Sequence, residues 1–227
     1  MTNASYTAVA IDGPSGAGKS TLARAAAGEL GYLYVDTGAI YRTVGYHMWL
    51  MGIGPRDTDG ITRLLDDVNI DIRHEPDGVQ HMILNGFDVT DELRTPEMSR
   101  YASGVSAQPA VRAFLLDMQR EFARSHNVIM DGRDIGTVVL PDAKVKIFLT
   151  ASQEIRAQRR LAELLARGEK ADFQQLLAQM RQRDKQDSER AIAPLRPAKD
   201  AVVLDTSGLD FHQSLEKILS VIREKQS

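Results

Sequence analysis

Gly13-Pro14-Ser15-Gly16-Ala17-Gly18-Lys19-Ser20-Thr21 follows directly on the apolar run Ala8-Val9-Ala10-Ile11 and the acid Asp12. The spacing Gly13-x-x-x-x-Gly18-Lys19-Ser20 is that of a phosphate-binding loop. Its glycines free the backbone to turn N–H groups inward around a β-phosphate, Lys19 reaches toward the β/γ oxygens, and the Ser20 hydroxyl can sit on Mg²⁺. Four fixed positions arise by chance in some chains, so the flanks decide. A strand pattern over residues 6–11 precedes the loop and an Ala- and Leu-rich helical pattern over 19–30 follows it. The helix would therefore aim the positive end of its dipole at the anion, which a simple glycine turn does not require. Residues Gly13, Pro14, Ser15, Gly16, Ala17, Gly18, Lys19, Ser20 and Thr21 mark a nucleoside triphosphate site and leave the reaction open.

Beyond the loop the same alternation recurs. Gly31-Tyr32-Leu33-Tyr34-Val35 reads as a second buried strand ending at Asp36-Thr37-Gly38, and a helical pattern over 39–51 carries Ile40, Val44 and Met48 on one face. Between residues 68 and 93 the period changes to two. Val68, Ile70 and Ile72, then Val79, His81 and Ile83, then Phe87 and Val89 alternate with polar residues, separated by the turns Pro76-Asp77-Gly78 and Asn85-Gly86. This predicts a small antiparallel sheet inserted into a βα chain. Pro96 and Pro109 open two further helical patterns, the second with Val111, Leu115, Met118 and Phe122 at helical spacing. Val128-Ile129-Met130-Asp131, Val145-Lys146-Ile147-Phe148-Leu149 and Ala201-Val202-Val203-Leu204-Asp205 supply the remaining strands, each followed by a helix. Five short apolar runs alternating with helices predict an α/β fold, a five-stranded parallel sheet covered by helices on both faces. Ligands bind such sheets at the carboxyl ends of the strands, where Asp12, Asp36, Asp131 and Asp205 all stand.

Composition excludes several classes. Of 227 residues, 43% are hydrophobic and 26% charged, the profile of a soluble globular protein. A formal net charge of −3 gives no basic excess for a polynucleotide, and none is expected as a partner. Cysteine is absent, which excludes disulfides, thiolate zinc sites and thiol catalysis. Met1-Thr2-Asn3-Ala4-Ser5 carries neither a basic nor an apolar leader region, and nowhere do eighteen apolar residues run together, so a cytoplasmic protein without a membrane partner is expected. No long apolar stripe is left over, and a monomer is expected.

Three groups of residues invite chemistry. Asp131, at the end of Val128-Ile129-Met130-Asp131-Gly132-Arg133-Asp134, resembles the carboxylate that helps hold the magnesium shell in P-loop enzymes, though an acid there can also simply cap a turn. Arg156, Arg160, Glu163 and Arg167 share one helix face, either a solvated stripe or a lid that brings guanidinium groups to a transferring phosphoryl. The apolar stripe Phe173, Leu176, Leu177, Met180 continues at the same spacing as Arg183, Asp187, Arg190. Burying such charges costs several kcal/mol per ion unless they are paired or bound. They therefore form an internal salt-bridge cluster, line a polar ligand pocket, or lie past the helix end. The five histidines have no metal-ligand spacing.

A signalling GTPase should carry Asn-Lys-x-Asp, and no Asn-Lys pair occurs. A motor or binding module usually sits among partner domains. A small-molecule kinase needs a triphosphate loop, a second pocket and a lid, and each has a candidate segment. The chain resembles the bacterial cytidylate kinases, within the nucleoside monophosphate kinases, in Ile11-Asp12-Gly13-Pro14-Ser15-Gly16-Ala17-Gly18-Lys19, Asp36-Thr37-Gly38-Ala39-Ile40-Tyr41-Arg42, Asp131-Gly132-Arg133-Asp134-Ile135-Gly136-Thr137-Val138-Val139, Lys146-Ile147-Phe148-Leu149 and Arg183-Asp184-x-x-Asp187-Ser188-x-Arg190. The match runs nearly end to end.

The resemblance implies transfer of the γ-phosphoryl of ATP to CMP or dCMP, with Mg²⁺ required; the loop motif puts the ion on the Ser20 hydroxyl, with Asp131 able to reach it through water. The alternatives are a kinase for another monophosphate or small alcohol, or a nucleotide-binding regulator without turnover. It implies one domain over residues 1–227, with a core of 1–51 and 127–227, a monophosphate-binding insertion over 52–126 and a short helical lid over 153–170. By motif position, Thr37, Tyr41, Arg42 and Arg133 would surround the monophosphate, Ser103, Arg112, Asp134 and Arg190 the cytosine, and Arg183 and Asp187 the sugar. Lys19, Arg133, Arg156 and Arg160 would carry the catalytic charge. The chemistry agrees in kind. Cytosine presents a donor amine beside an acceptor nitrogen, so a carboxylate at Asp134 can accept from the amine while a guanidinium donates to the ring. Uracil reverses both roles.

Overall fold

The computed structural model describes residues 6–75 and 78–226. Pro76 and Asp77 of one expected turn, and the start Met1-Thr2-Asn3-Ala4-Ser5, lie outside the described residues. In chain order the elements are β1 (Ala8–Asp12), α1 (Lys19–Leu30), β2 (Leu33–Asp36), α2 (Thr37–Leu50), α3 (Thr58–Leu64) and a 3₁₀ turn (Leu65–Asp67). Next come β3 (Ile70–His74), β4 (Gln80–Leu84), β5 (Phe87–Asp88), α4 (Pro96–Val105), α5 (Pro109–Ser125), β6 (Val128–Gly132) and a π-helical turn (Ile135–Val139). The last are β7 (Val145–Thr150), α6 (Gln153–Ala166), α7 (Phe173–Glu189), β8 (Val202–Asp205) and α8 (Phe211–Gln226). Two sheets result, a parallel one of order β2-β6-β1-β7-β8 and an antiparallel one of order β3-β4-β5. This is the α/β architecture that the alternating runs predict. No helix among the described residues is long and apolar enough to cross a membrane.

The chain divides into two compact units. In the unit of residues 7–32 and 129–226, strand β1 is inaccessible through Val9, Ala10 and Ile11, as a strand covered on both faces must be. Helix α1 starts after Gly18 and stops at Gly31, whose left-handed backbone lets its N–H bond back to the carbonyls of Ala27 and Gly28. It packs against α8, which buries Leu215, Ile218, Leu219 and Ile222 at helical spacing.

In the unit of residues 33–128, α2 packs along α4, and the three-stranded sheet closes its second hairpin through Asn85 and Gly86, both at positive φ, the geometry of a tight two-residue turn. The alternating pattern is offset from the expectation. In β4 the buried residues are Gln80, Met82, Ile83 and Leu84, while His81 faces outward and holds Asp88 at 2.7 Å. Gln80 tolerates the interior because its amide is used at both ends: Oε1 accepts from Asp36 N at 2.8 Å and Nε2 donates to Asp36 O at 3.3 Å.

Candidate active site

The phosphate-binding loop joins β1 to α1. Gly13 sits at φ +153°, and a Cβ there would fall 2.0 Å from the Leu149 carbonyl oxygen, so only glycine lets the loop leave β1 against the end of β7. Lys19 is 5% exposed and donates Nζ to the Pro14 carbonyl at 2.8 Å, folded back onto its own loop. Burial lowers its pKa to about 7, helped by the neighbouring Arg133 and Arg183 cations and opposed by Asp131 and Asp12. Three basic side chains, Lys19, Arg133 and Arg183, thus share one neighbourhood with the carboxylates of Asp131 and Asp12. Ser20 Oγ donates to Asp131 Oδ2 at 3.0 Å, so the loop hydroxyl and the strand-end carboxylate do meet.

The ionic stripe of α7 stays within the helix through Asp187, and Arg190 is the residue that ends it. Its partners come from the segment after β6. Arg133 Nε donates to Asp187 Oδ2 at 2.9 Å, and Arg190 Nη2 donates to Asp134 Oδ1 at 3.2 Å. Asp134 and Asp187 are both buried, so the stripe that turned ionic does so against a second pair of opposite charges. These two crossed pairs hold Asp134 at 4% exposure with its carboxylate already facing a guanidinium.

The two expected lid arginines are placed differently. Arg160 is about a third exposed and pairs with Glu163 at 3.0 Å on the outer face of α6. Arg156 is 3% exposed and fully committed: Nε donates to Ala151 O at 2.9 Å, Nη1 to Ser15 O at 2.9 Å and to Asp184 Oδ1 at 3.0 Å, and Nη2 to Asp184 Oδ2 at 2.5 Å. It therefore clamps α6 to α7 and holds a carbonyl of the phosphate-binding loop.

In the other unit, Asp36 caps α2 by accepting from Ala39 N at 2.9 Å and holds Arg42 at 2.9 Å with its second oxygen. Thr37 is buried in the first turn of α2. The Arg112 guanidinium lies 5.8 Å from the centre of the Tyr41 ring and donates to the Ser106 carbonyl at 3.3 Å. Ser103, on α4, accepts through its carbonyl from Ser106 Oγ at 3.1 Å. Thr37, Tyr41, Arg42, Ser103 and Arg112 are thus carried by α2, α4 and α5 of one unit. Lys19, Arg133, Asp134, Arg183, Asp187 and Arg190 belong to the other.

A family model described as cytidylate kinase matches residues 9–224. The chain belongs to the cytidylate kinase family. Curated cytidylate kinases are similar over nearly its whole length: one from Caldicellulosiruptor bescii is 48% identical over 213 residues, 94% of each chain, and one from Carboxydothermus hydrogenoformans is 46% identical over 217 residues, 96% of this chain and 97% of its own. A crystal structure of an uncharacterised protein from Eubacterium ventriosum shares the fold with a TM-score of 0.50 at 12% identity, covering 96% of this chain and 98% of that one.

Within this cytidylate kinase family member, Asp184 and Arg159 brace site residues although no sequence pattern assigned them a role, and Asp12 and Asp36, which the sequence places at strand ends, are braces as well. Asp36 positions Arg42 and Asp184 positions Arg156. Arg159 donates to the Thr206 carbonyl at 2.8 Å and to its hydroxyl at 3.2 Å, tying α6 to the loop after β8. For Asp36 and Asp12 the strand-end position was the available signal. Asp184 could have been reached from the i, i+3 relation to Asp187 on one helix.

Proposed function

We propose that the chain transfers the γ-phosphoryl group of ATP to CMP or dCMP, giving CDP or dCDP and ADP. A phosphate oxygen of the monophosphate forms the new bond to Pγ as the bond from Pγ to the β,γ-bridging oxygen breaks, its electrons leaving with ADP. Little covalent chemistry is asked of the protein in such a transfer; positioning and charge neutralisation carry it. Gly13 to Thr21 cradle the triphosphate and Lys19 follows the β/γ oxygens. Arg133 serves the transferring group, Arg160 adds charge from α6, and Arg156 acts through the Ser15 carbonyl that it holds. By motif position, Thr37, Tyr41, Arg42, Ser103, Arg112, Arg133, Asp134, Arg183, Asp187 and Arg190 carry the CMP contacts.

The cation that travels with ATP fits Ser20 and Asp131, a hydroxyl and a carboxylate in contact at 3.0 Å, the hard oxygen donors that Mg²⁺ takes. When bound it neutralises charge on the β- and γ-phosphates.

The observation that carries the acceptor assignment is the buried Asp134 paired with Arg190. A carboxylate beside a guanidinium complements the amine and ring nitrogen of cytosine, whereas uracil would leave two acceptors facing each other. Sites built on such hydrogen bonds reject the wrong partner by roughly 10⁴-fold. A coupled ADP-release assay over AMP, CMP, dCMP, UMP and GMP tests the proposal. CMP and dCMP should lead, and Asp134→Asn should narrow the gap between CMP and UMP. Preference for another acceptor, or an unchanged CMP/UMP ratio in Asp134→Asn, would overturn the assignment of that residue.

A further inference from the structure

Asp12 closes β1 immediately before Gly13 and is 4% exposed, yet it belongs to neither set of substrate residues. Its carboxylate is used entirely on backbone. Oδ1 accepts from Ile135 N at 2.7 Å and Oδ2 accepts from Gly136 N at 2.8 Å. These are the first two amides of the π-helical turn Ile135–Val139, which a chain reversal leaves without intrahelical partners and which favour an anion. The turn follows Arg133-Asp134 without a spacer. Position 136 is packed from two sides: a Cβ on Gly136 would stand 3.4 Å from Asp12 Oδ2 and 3.2 Å from Lys146 Cδ. Lys146 is itself pinned, its ammonium donating to Asp200 at 2.8 and 3.0 Å. The stack Asp12, Gly136, Lys146 therefore fixes one end of the Arg133-Asp134 segment to the residue that starts the phosphate-binding loop.

We propose that Asp12 is a positioning residue for acceptor recognition: its two-oxygen grip on Ile135 and Gly136 sets where Arg133 and Asp134 stand relative to Lys19, without touching either substrate. The proposal rests on the reading of Asp134 as the base-reading acid. The ionised form is the gripping form, because a protonated carboxyl gives up one acceptor to its own hydrogen. Burial raises the Asp12 pKa to about 6, against the two backbone N–H bonds that lower it, with Asp134 adding to the rise and Lys19 opposing it. Those two charges, and the Lys146 stem across Gly136 with its ammonium turned to Asp200, are the charged neighbours that the structure gives Asp12. The grip thus loosens as the pH falls through about 6.

Asp12→Asn tests this with little change of shape, since its amide keeps one acceptor and turns a donor toward the other N–H. CMP kcat/KM should fall about tenfold to a hundredfold while the KM for ATP stays within about threefold, and the CMP/UMP ratio should narrow. In the wild type the CMP/UMP ratio should decline between about pH 7.5 and pH 5.5, a ratio in which phosphate ionisation common to both acceptors cancels, and Asp12→Asn should make it flat. Gly136→Ala keeps every charge and crowds the same junction, so it should reproduce the loss in CMP kcat/KM even if Asp12→Asn fails to fold. An unchanged CMP/UMP ratio in both variants, with Asp134→Asn still shifting it, overturns the positioning role alone. If Asp134→Asn also leaves the ratio unchanged, the underlying reading of Asp134 fails instead.

Discussion

Arg156→Leu is the perturbation that separates a brace from a phosphoryl-binding arginine. The substitution removes a guanidinium that is 3% exposed and makes four hydrogen bonds, two to Asp184 and one each to the Ala151 and Ser15 carbonyls. What remains is an acid, 18% exposed, that keeps Gln153 as a side-chain donor at 3.2 Å. Breaking a buried pair from one side costs about 3–5 kcal/mol, because the surviving charge stays desolvated. Arg156→Lys keeps the charge but not the fork. An ammonium can serve Asp184 and one carbonyl, so about half of the contacts survive and the cost falls to about 1–3 kcal/mol. Against a total stability of about 5–15 kcal/mol, both variants should still fold.

For Arg156 to reach a transferring phosphoryl group it would first have to give up this pair, at a cost comparable to what such a contact returns. The geometry therefore assigns its effect on turnover to the Ser15 carbonyl. Urea unfolding should give the stability order wild type, Arg156→Lys, Arg156→Leu, and steady-state kinetics should show the KM for ATP rising in the same order, with the KM for CMP moving less. The reasoning is refuted if Arg156→Leu is within about 1 kcal/mol of wild type and lowers kcat at unchanged KM for ATP.

Lys19→Met should abolish turnover and leave the fold intact, read by the coupled assay and far-UV circular dichroism; retained kinase activity would sink the phosphate-loop assignment. Below neutral pH, two buried groups should act on stability with opposite signs. His47 is buried with its Nε2 unpartnered among the described residues, and burial, opposed by Asp67, lowers its pKa. The fold thus resists its protonation and loses stability as the pH drops below the ordinary histidine value of about 6.5. Asp12 runs the other way. Its folded pKa of about 6 lies above the ordinary 3.8, so the unfolded chain releases the proton first and stability falls as the pH rises between those values. At neutral pH that gap is worth about 3 kcal/mol against the fold. Asp12→Asn should therefore gain about 2 kcal/mol on the wild type between about pH 4.5 and pH 7.5 in urea titrations, even as CMP turnover drops. A pH-independent difference would show that Asp12 does not titrate in this range.

Much of this was legible in the sequence because the signals are local. The phosphate-binding loop is contiguous, the strands are short apolar runs bounded by acids, and the stripe from Phe173 to Arg190 follows one helix face. The π-helical turn was not legible. Ile135-Gly136-Thr137-Val138-Val139 is rich in β-branched residues and by pattern would extend as a strand, and what bends it is a carboxylate 123 and 124 residues away in the chain. The commitment of Arg156 was hidden for the same reason, since its partner stands 28 residues away on another helix. Arg156 and Arg160 read as equivalent on one face, and only the packing of α7 over that face makes one a brace and leaves the other exposed. The inverted face of β4 turned on Gln80, whose polarity argues for the surface until the backbone of Asp36 is seen to satisfy both ends of its amide.

Helix α7 gathers these features into one element. Asp184 and Asp187 lie three residues apart, so they project from neighbouring positions on successive turns, one toward α6 and one toward the segment after β6. Asp184 holds Arg156 and through it the Ser15 carbonyl of the triphosphate loop; Asp187 holds Arg133, beside the acid that we assign to cytosine. The contacts that shape the donor loop and those that present the acceptor-reading pair therefore hang on adjacent turns of the same helix. A substitution that rotates or shifts α7 cannot disturb one without the other. Through Asp184 and Asp187 a single helix thus braces both the phosphate-binding loop and the Arg133-Asp134 segment.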